Sequence, residues 1–109
     1  MQKRSLFKKI YDAVKLIPAG RVTTYGQIGK YIGCSAKYVG YALSSLNRSD
    51  VPWHRVINSK GRISIKNIEG YYLQRQLLEQ EGIIFKEDNS VDLEQYIYKF
   101  DNIEHNILE

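Results

Sequence analysis

Two short apolar stripes at helical spacing, separated by a glycine, constrain this chain more than any other feature. From about Thr24 to Ile32 the inward set is Ile28, Tyr31 and Ile32, with Thr23 as the expected N-cap and Gly33 as the stop. From about residue 36 to 46 it is Val39, Leu43 and Leu46, with Ser35 as N-cap. Helix, short turn, helix is the pattern of a helix-turn-helix, whose second helix is free to enter a groove. The other face of that second helix carries Ala36, Gly40 and Ser44, small residues that let another backbone come close. Tight packing against a helix of the same protein would use the same face.

The flanking segments complete one domain. Leu6, Phe7, Ile10, Ala13, Val14 and Ile17 recur at spacings of three and four, which predicts a helix from Ser5, its expected N-cap, to Ile17, stopped by Pro18 and Gly20. Arg55-Val56-Ile57, the turn Asn58-Ser59-Lys60-Gly61 and Arg62-Ile63-Ser64-Ile65 read as a small β-hairpin. A helix over about 69–81 is expected to bury Tyr72, Leu73, Leu77 and Leu78 and to end at Gly82. Ile83-Ile84-Phe85 is a short strand candidate, and Val91 to Phe100 a final turn or short helix. Residues 1–100 are thus expected to form the domain, with 101–109 an acidic, disordered tail. A chain of 109 residues, 43% hydrophobic, suffices for one core and is too short for two domains.

Charge divides sharply along the chain. Residues 1–66 hold 13 lysines and arginines against Asp12 and Asp50, whereas residues 67–109 hold three against ten acids. One half is therefore strongly positive, as a surface that neutralises phosphates must be, although a merely solvated face would also be charged. No run of about 18 apolar residues and no leader-like N-terminus is present, so a soluble, intracellular, monomeric protein with no membrane partner is expected. The lone Cys34 excludes an internal disulfide and any multi-cysteine metal site, and His54 and His105 are too far apart for local chelation. No cofactor and no metal is called for.

One motif stands apart: Val51-Pro52-Trp53-His54-Arg55-Val56, with Thr23-Thr24-Tyr25-Gly26 about 28 residues before Trp53 and Glu81-Gly82 about 28 after it. Over roughly residues 5–100 this arrangement resembles the O6-alkylguanine-DNA alkyltransferases, in which the position of Trp53 is a cysteine that accepts the alkyl group. An indole offers an N–H donor and a π face and no thiolate, so displacement at an alkyl carbon is lost. The chain is therefore similar to the alkyltransferase-like branch, which binds O6-alkylguanine without repairing it. The implied fold is mostly α with a small β-hairpin, a winged-helix-like helix-turn-helix domain of the alkyltransferase C-terminal type. The implied partners are double-stranded DNA containing O6-alkylguanine and nucleotide excision repair proteins.

The resemblance also assigns roles. Guanine O6 lies in the stack and pairing edge, so a reader of that atom must flip the base out. Tyr25 matches a family tyrosine that presses on the phosphate beside the target, and Ser59 a serine that contacts phosphate. Ala36-Lys37-Tyr38-Val39-Gly40 matches Ala-Arg-x-Val-Gly, whose arginine plugs the vacated stack from the minor groove. Lys37 lacks the planar fork for that task, while Ala36 and Gly40 keep the small size that close approach needs. Trp53 would pack on the O6-alkyl group, with Tyr25, His54 and Gly70 completing the lesion pocket. His54 and Glu81 match the family's relay and would survive, braced by Arg55, as a structural network. Asn67-Ile68-Glu69-Gly70 keeps only the glycine of the family's Tyr-Ser-Gly-Gly, and Asn47 lies near a family hinge asparagine.

Other functions leave different traces. Cys34 could be the acceptor of a repair enzyme, because it precedes a helix whose N-terminus would lower a thiol's pKa. His54 and Glu81 could activate water in a glycosylase or nuclease. A helix-turn-helix transcription regulator would show sequence preference and none for the alkylated base.

Overall fold

The computed structural model describes residues 3–100. In chain order these are helix α1 (Lys3–Val14), strand β1 (Thr23–Thr24), α2 (Tyr25–Ile32), α3 (Ala36–Ser44), one 3₁₀ turn (Trp53–Arg55), strand β2 (Val56–Ile57), α4 (Ile68–Gln80) and α5 (Leu93–Tyr96). The expected tail, 101–109, lies outside the described residues. The architecture is mostly helical with one small sheet, built around the expected helix-turn-helix of α2 and α3.

Local chemistry sets the boundaries. Ser5 falls inside α1 and is not its cap, and the helix gives way after Val14 to a tighter turn in which Leu16 N donates to Ala13 O and Ile17 N to Val14 O, both at 3.1 Å. That turn still delivers Ile17 to the core. Thr24, and not Thr23, caps α2, its hydroxyl accepting from Gln27 N at 3.1 Å. Thr23 is committed to β1. Ser35 occupies the cap position of α3 without a side-chain hydrogen bond, its carbonyl instead taking up Tyr38 N at 3.1 Å.

The expected hairpin does not form. Its turn is present, with Asn58 N donating to Arg62 O at 3.0 Å and Asn58 Oδ1 accepting from the amides of Lys60 and Arg62. β2, however, pairs in parallel with β1, Thr23 opposite Val56 and Thr24 opposite Ile57. A parallel partner must arrive through a long connection, here the whole helix-turn-helix. Beyond Arg62 the chain leaves the sheet, burying Ile63 while Arg62 and Ser64 face solvent. The Ile83–Phe85 segment likewise contributes only an isolated antiparallel bridge, Phe85 to Val91.

The sheet sits between two cores. On one side Ile10, Val14, Ile17, Ile28, Val39 and Val56 unite α1, α2 and α3, and Phe100 stacks on Tyr31 with ring centres 4.4 Å apart. On the other, Val22, Ile57, Leu78, Ile83, Val91 and Tyr96 join α4 to the C-terminal segment. Successive residues of a strand point to opposite faces, so Val56 serves the first core and Ile57 the second. The residues just before β2 are thereby anchored from both sides.

α4 is turned relative to expectation. Leu78 and Gln74 are buried, whereas Tyr72 and Leu73 face solvent and Leu77 is half-buried. Gln74 can be inside because its amide donates to His54 O at 3.0 Å and to Val56 O at 2.9 Å. Both N–H donors are thus used, while Gln74 Oε1 is buried without a partner among the described residues.

Gly61 joins the turn to the second core, with φ +77° and its carbonyl accepting from Val91 N at 2.7 Å. A Cβ there would stand 2.5 Å from Val91 O, a backbone atom that cannot swing away. Left-handed strain and that clash together should make Gly61→Ala cost roughly 3 kcal/mol, or about 10 °C or more in Tm. The exposed Lys60→Ala in the same turn should change stability by about 0.5 kcal/mol or less, and thermal unfolding of the two variants checks the contrast.

Candidate nucleic-acid interface

Trp53 is carried by the 3₁₀ turn, a conformation its neighbours impose. Pro52 precedes the turn at φ −79°, Trp53 N donates to Val51 O at 2.8 Å, and Arg55 N donates to Pro52 O at 3.1 Å. Behind it, β2 begins at once and Gln74 of α4 holds the carbonyls of His54 and Val56. The indole is therefore fixed on rigid backbone at the edge of the helix-turn-helix, and it is half-buried, not sealed in either core.

Beside it opens a cavity of about 500 Å³. Tyr25 at the start of α2, Ala36, Lys37 and Gly40 along α3, and Trp53 all line it, so five residues expected at the site are brought together. The volume falls within the range typical of small-molecule sites. Ser64 Oγ donates to Tyr25 Oη at 3.3 Å across one wall. Leu43, Ser44, Ile65 and Gln74 complete the lining, which is largely apolar. Of these, sequence reasoning had placed Leu43 in the core and had noted Ser44 only as a small residue. Ser64, Ile65 and Gln74 were missed as site residues, and their one visible signal was position, between the Trp53 motif and Glu81.

Two residues expected in the pocket are elsewhere. Gly70 does not line the cavity and acts through Ile65: a Cβ on Gly70 would lie 2.9 Å from Ile65 Cγ2, so the glycine lets Ile65 settle against α4. His54 faces away, with its ring 6.1 Å from the indole and nearly perpendicular to it. It borders a second opening, also of about 500 Å³, that Lys15, Asp50 and Arg55 make polar and of which Trp53 is the shared wall. Ser59 is exposed in the 58–61 turn and outside the cavity, Ile68 is exposed at the start of α4, and Asn47 is exposed in the loop after α3.

Behind the indole the expected network is complete. His54 Nε2 donates to Glu81 Oε2 at 2.9 Å, and Arg55 donates to the same carboxylate from Nη2 at 2.6 Å and from Nε at 3.0 Å. Arg55 Nη1 also reaches Ile17 O at 2.8 Å, tying the turn after α1 to the end of α4. Burial pushes the Glu81 carboxyl up, but hydrogen bonds from Arg55 and His54 outweigh it and hold the group at about 2. The His54 nitrogen facing Glu81 is thus a donor to a carboxylate, which fixes the ring. On the outer side, Asp50 receives Arg48 at 2.7 Å and Lys15 at 3.3 Å, exposed pairs that link the loop leading to Trp53 to the residue after α1.

Residues 5–83 match the family model described as the DNA-binding domain of 6-O-methylguanine DNA methyltransferase. The chain belongs to that family. Within it the chain is 40% identical over 107 residues to Alkyltransferase-like protein 1 of Schizosaccharomyces pombe, covering 91% of this chain and 99% of that one. It is 43% identical over 91 residues to the DNA base-flipping protein of Vibrio parahaemolyticus, covering 81% and 90%. Among solved structures it is similar to S. pombe Atl1 in complex with damaged DNA containing O6-carboxymethylguanine, with a TM-score of 0.82 and 40% identity over 92% of this chain and all of that one.

For a member of the methyltransferase family the chemistry available here is unusual. The sole cysteine, Cys34, lies in the turn between α2 and α3, half-buried and not among the residues lining the Trp53 cavity. Burial pushes its thiol up from the ordinary value, opposite to the lowering expected from the start of α3. A raised thiol is a poorer source of thiolate. What the cavity does offer is aromatic surface, two small hydroxyls and a lysine at its rim.

Proposed function

We propose that this protein is a non-enzymatic DNA-damage sensor. It takes an O6-alkylguanine out of duplex DNA into the Trp53 cavity, holds it without removing the alkyl group, and so marks the site for nucleotide excision repair. One observation carries the proposal: an indole, fixed on rigid backbone, walls a nucleobase-sized cavity at the position where the family keeps its acceptor thiol, while the only thiol lies outside that cavity. In this reading Tyr25 and Trp53 hold the base, Ala36, Lys37, Gly40 and Ser59 meet the DNA, and Arg55 and Glu81 fix the turn that carries Trp53. The names of its relatives, an alkyltransferase-like protein and DNA base-flipping proteins, support the same view. The acidic second half, which gives the cavity only Gln74, is the part left for repair proteins. The site of action is wherever the cell keeps its DNA, and no helix among the described residues is long and apolar enough to cross a membrane.

Matched duplexes carrying guanine, O6-methylguanine or a bulkier O6 adduct, titrated at one stated salt concentration, test this directly. Affinity should rise with the adduct, and intact mass should be unchanged after prolonged incubation. A gain of one methyl on Cys34 would establish a repair enzyme instead. Equal affinity for all three duplexes would favour a transcription regulator, and nicks or abasic sites a nuclease or glycosylase.

A further inference from the structure

A base cannot leave the duplex without leaving a gap, and unstacking is what makes extrusion costly. A good filler presents a flat surface to the orphaned base together with a donor or a positive charge. At the place where the resemblance puts a stack-plugging arginine, this chain has Lys37, a compact charge with no plane of its own. The plane is available one helical turn away.

We propose that Tyr41, acting with Lys37, fills the space a flipped nucleotide leaves. Residues four apart share one edge of a helix, and Lys37 Nζ stands over the Tyr41 ring, 5.9 Å from its centre. Tyr38 meets the same ring edge-on at 83°, centre to centre 5.9 Å, so its orientation is set before DNA arrives. Tyr41 is 49% exposed and Tyr38 44%, and neither belongs to either core. Gly40, next to Tyr41 in the chain, lines the cavity, and a Cβ there would have no atom within 4 Å, so the helix can approach a groove closely on that face. Lysine, tyrosine ring and cavity mouth thus form one continuous rim: Lys37 lines the cavity and Tyr41 lies behind its ammonium. Aromatic wedges entering from the minor groove, and rings on which bases of any sequence stack, are the general form of such a plug.

This assignment rests on the flipping reading above, and the experiment separates the two. A duplex with O6-methylguanine opposite a cytosine analogue that brightens when unstacked is bound by wild type, Tyr41→Phe, Tyr41→Ala and Lys37→Ala, alongside the unmodified duplex. The reporter should stay dark with wild type and Tyr41→Phe and brighten at least about twofold with Tyr41→Ala. The same variant should bind the lesion duplex about tenfold more weakly. Lys37→Ala should lower affinity for both duplexes and flatten its salt dependence. The thermal midpoint of Tyr41→Ala should stay near that of wild type, since the ring is outside the cores. A Tyr41→Ala variant that matches wild type in reporter signal and affinity overturns the role of Tyr41, as does a Tyr41→Phe variant as weak as Tyr41→Ala. A wild-type protein with no preference for the lesion duplex overturns base flipping itself.

Discussion

Trp53→Ala should abolish most of the preference for alkylated over unmodified duplex while leaving affinity for unmodified DNA within about twofold. The indole is the one large aromatic surface of the cavity that belongs to the Pro-x-His-Arg-Val motif, and the backbone that follows it is held by Gln74 at His54 O and Val56 O. Stacking of a base or alkyl group on such a ring is worth about 1–3 kcal/mol, so a loss near 2 kcal/mol, roughly thirtyfold, is expected in the lesion complex alone. General phosphate contacts do not pass through this residue, which is why the unmodified duplex should scarcely notice. Trp53→Phe keeps a smaller ring and should retain about half of the preference on a free-energy scale. Because Trp53 is half-buried and outside both hydrophobic cores, the alanine variant should remain folded. Fluorescence anisotropy with matched duplexes measures both numbers. A uniform drop for modified and unmodified DNA would mean that Trp53 supports the fold or the backbone contacts and not the lesion.

How far the sequence could be read depended on how local each signal was. The helix-turn-helix was legible because Ile28, Gly33, Ser35 and Val39 sit within a dozen residues of one another and each has a local reason for its place. The turn at Asn58 was equally legible, since its side chain makes the turn by itself. What followed it was not. Alternating exposure at Arg62, Ile63 and Ser64 mimics a strand, but β2 finds its partner in Thr23 and Thr24, and a parallel pairing across some thirty residues leaves no mark in either segment. The turn of α4 was hidden for a related reason. Hydropathy points Leu73 inward and Gln74 outward, yet two carbonyls of the Trp53 turn, supplied from elsewhere in the chain, reward the amide and draw it in.

The site shows the same division. The resemblance at Tyr25, Ala36, Gly40 and Trp53 drew together residues that the fold does bring to one cavity, and the positive half of the chain holds nearly all of its lining. Ile65 and Ser64 could not be found that way, because their place follows from the chain leaving the sheet and from the space that Gly70 leaves free. His54 was placed in the pocket because it adjoins Trp53, but adjacent residues of a 3₁₀ turn point about a third of a turn apart. One faces the cavity and the other the carboxylate of Glu81.

That carboxylate is where a loss of stability as large as that of Gly61→Ala should be found. Arg55→Ala would leave Glu81 with His54 and a long bond from the Gly20 amide, remove the bond to Ile17 O, and free the end of α4 from the turn that follows α1. Removing one partner of a buried pair costs about 3–5 kcal/mol, and with 16% of the Glu81 side chain still exposed a value near 3 is expected, or about 12 °C in Tm. Arg55→Lys should rescue little, since an ammonium cannot meet two carboxylate oxygens and a carbonyl with one planar fork. Acidity offers an independent check. The folded Glu81 titrates at about 2 against an ordinary 4.5, so the proton binds the unfolded chain first as pH falls. Its contribution, about 2 kcal/mol after allowing for solvent screening, is therefore fully present above pH 4.5 and lost progressively as pH drops toward about 2. Urea unfolding of wild type and Glu81→Gln between pH 7 and pH 2 should show two stability curves that converge at the acid end, the variant lacking that part of the decline. Parallel curves would mean that Glu81 is not held ionised by Arg55 and His54, and the turn that carries Trp53 would then need another anchor.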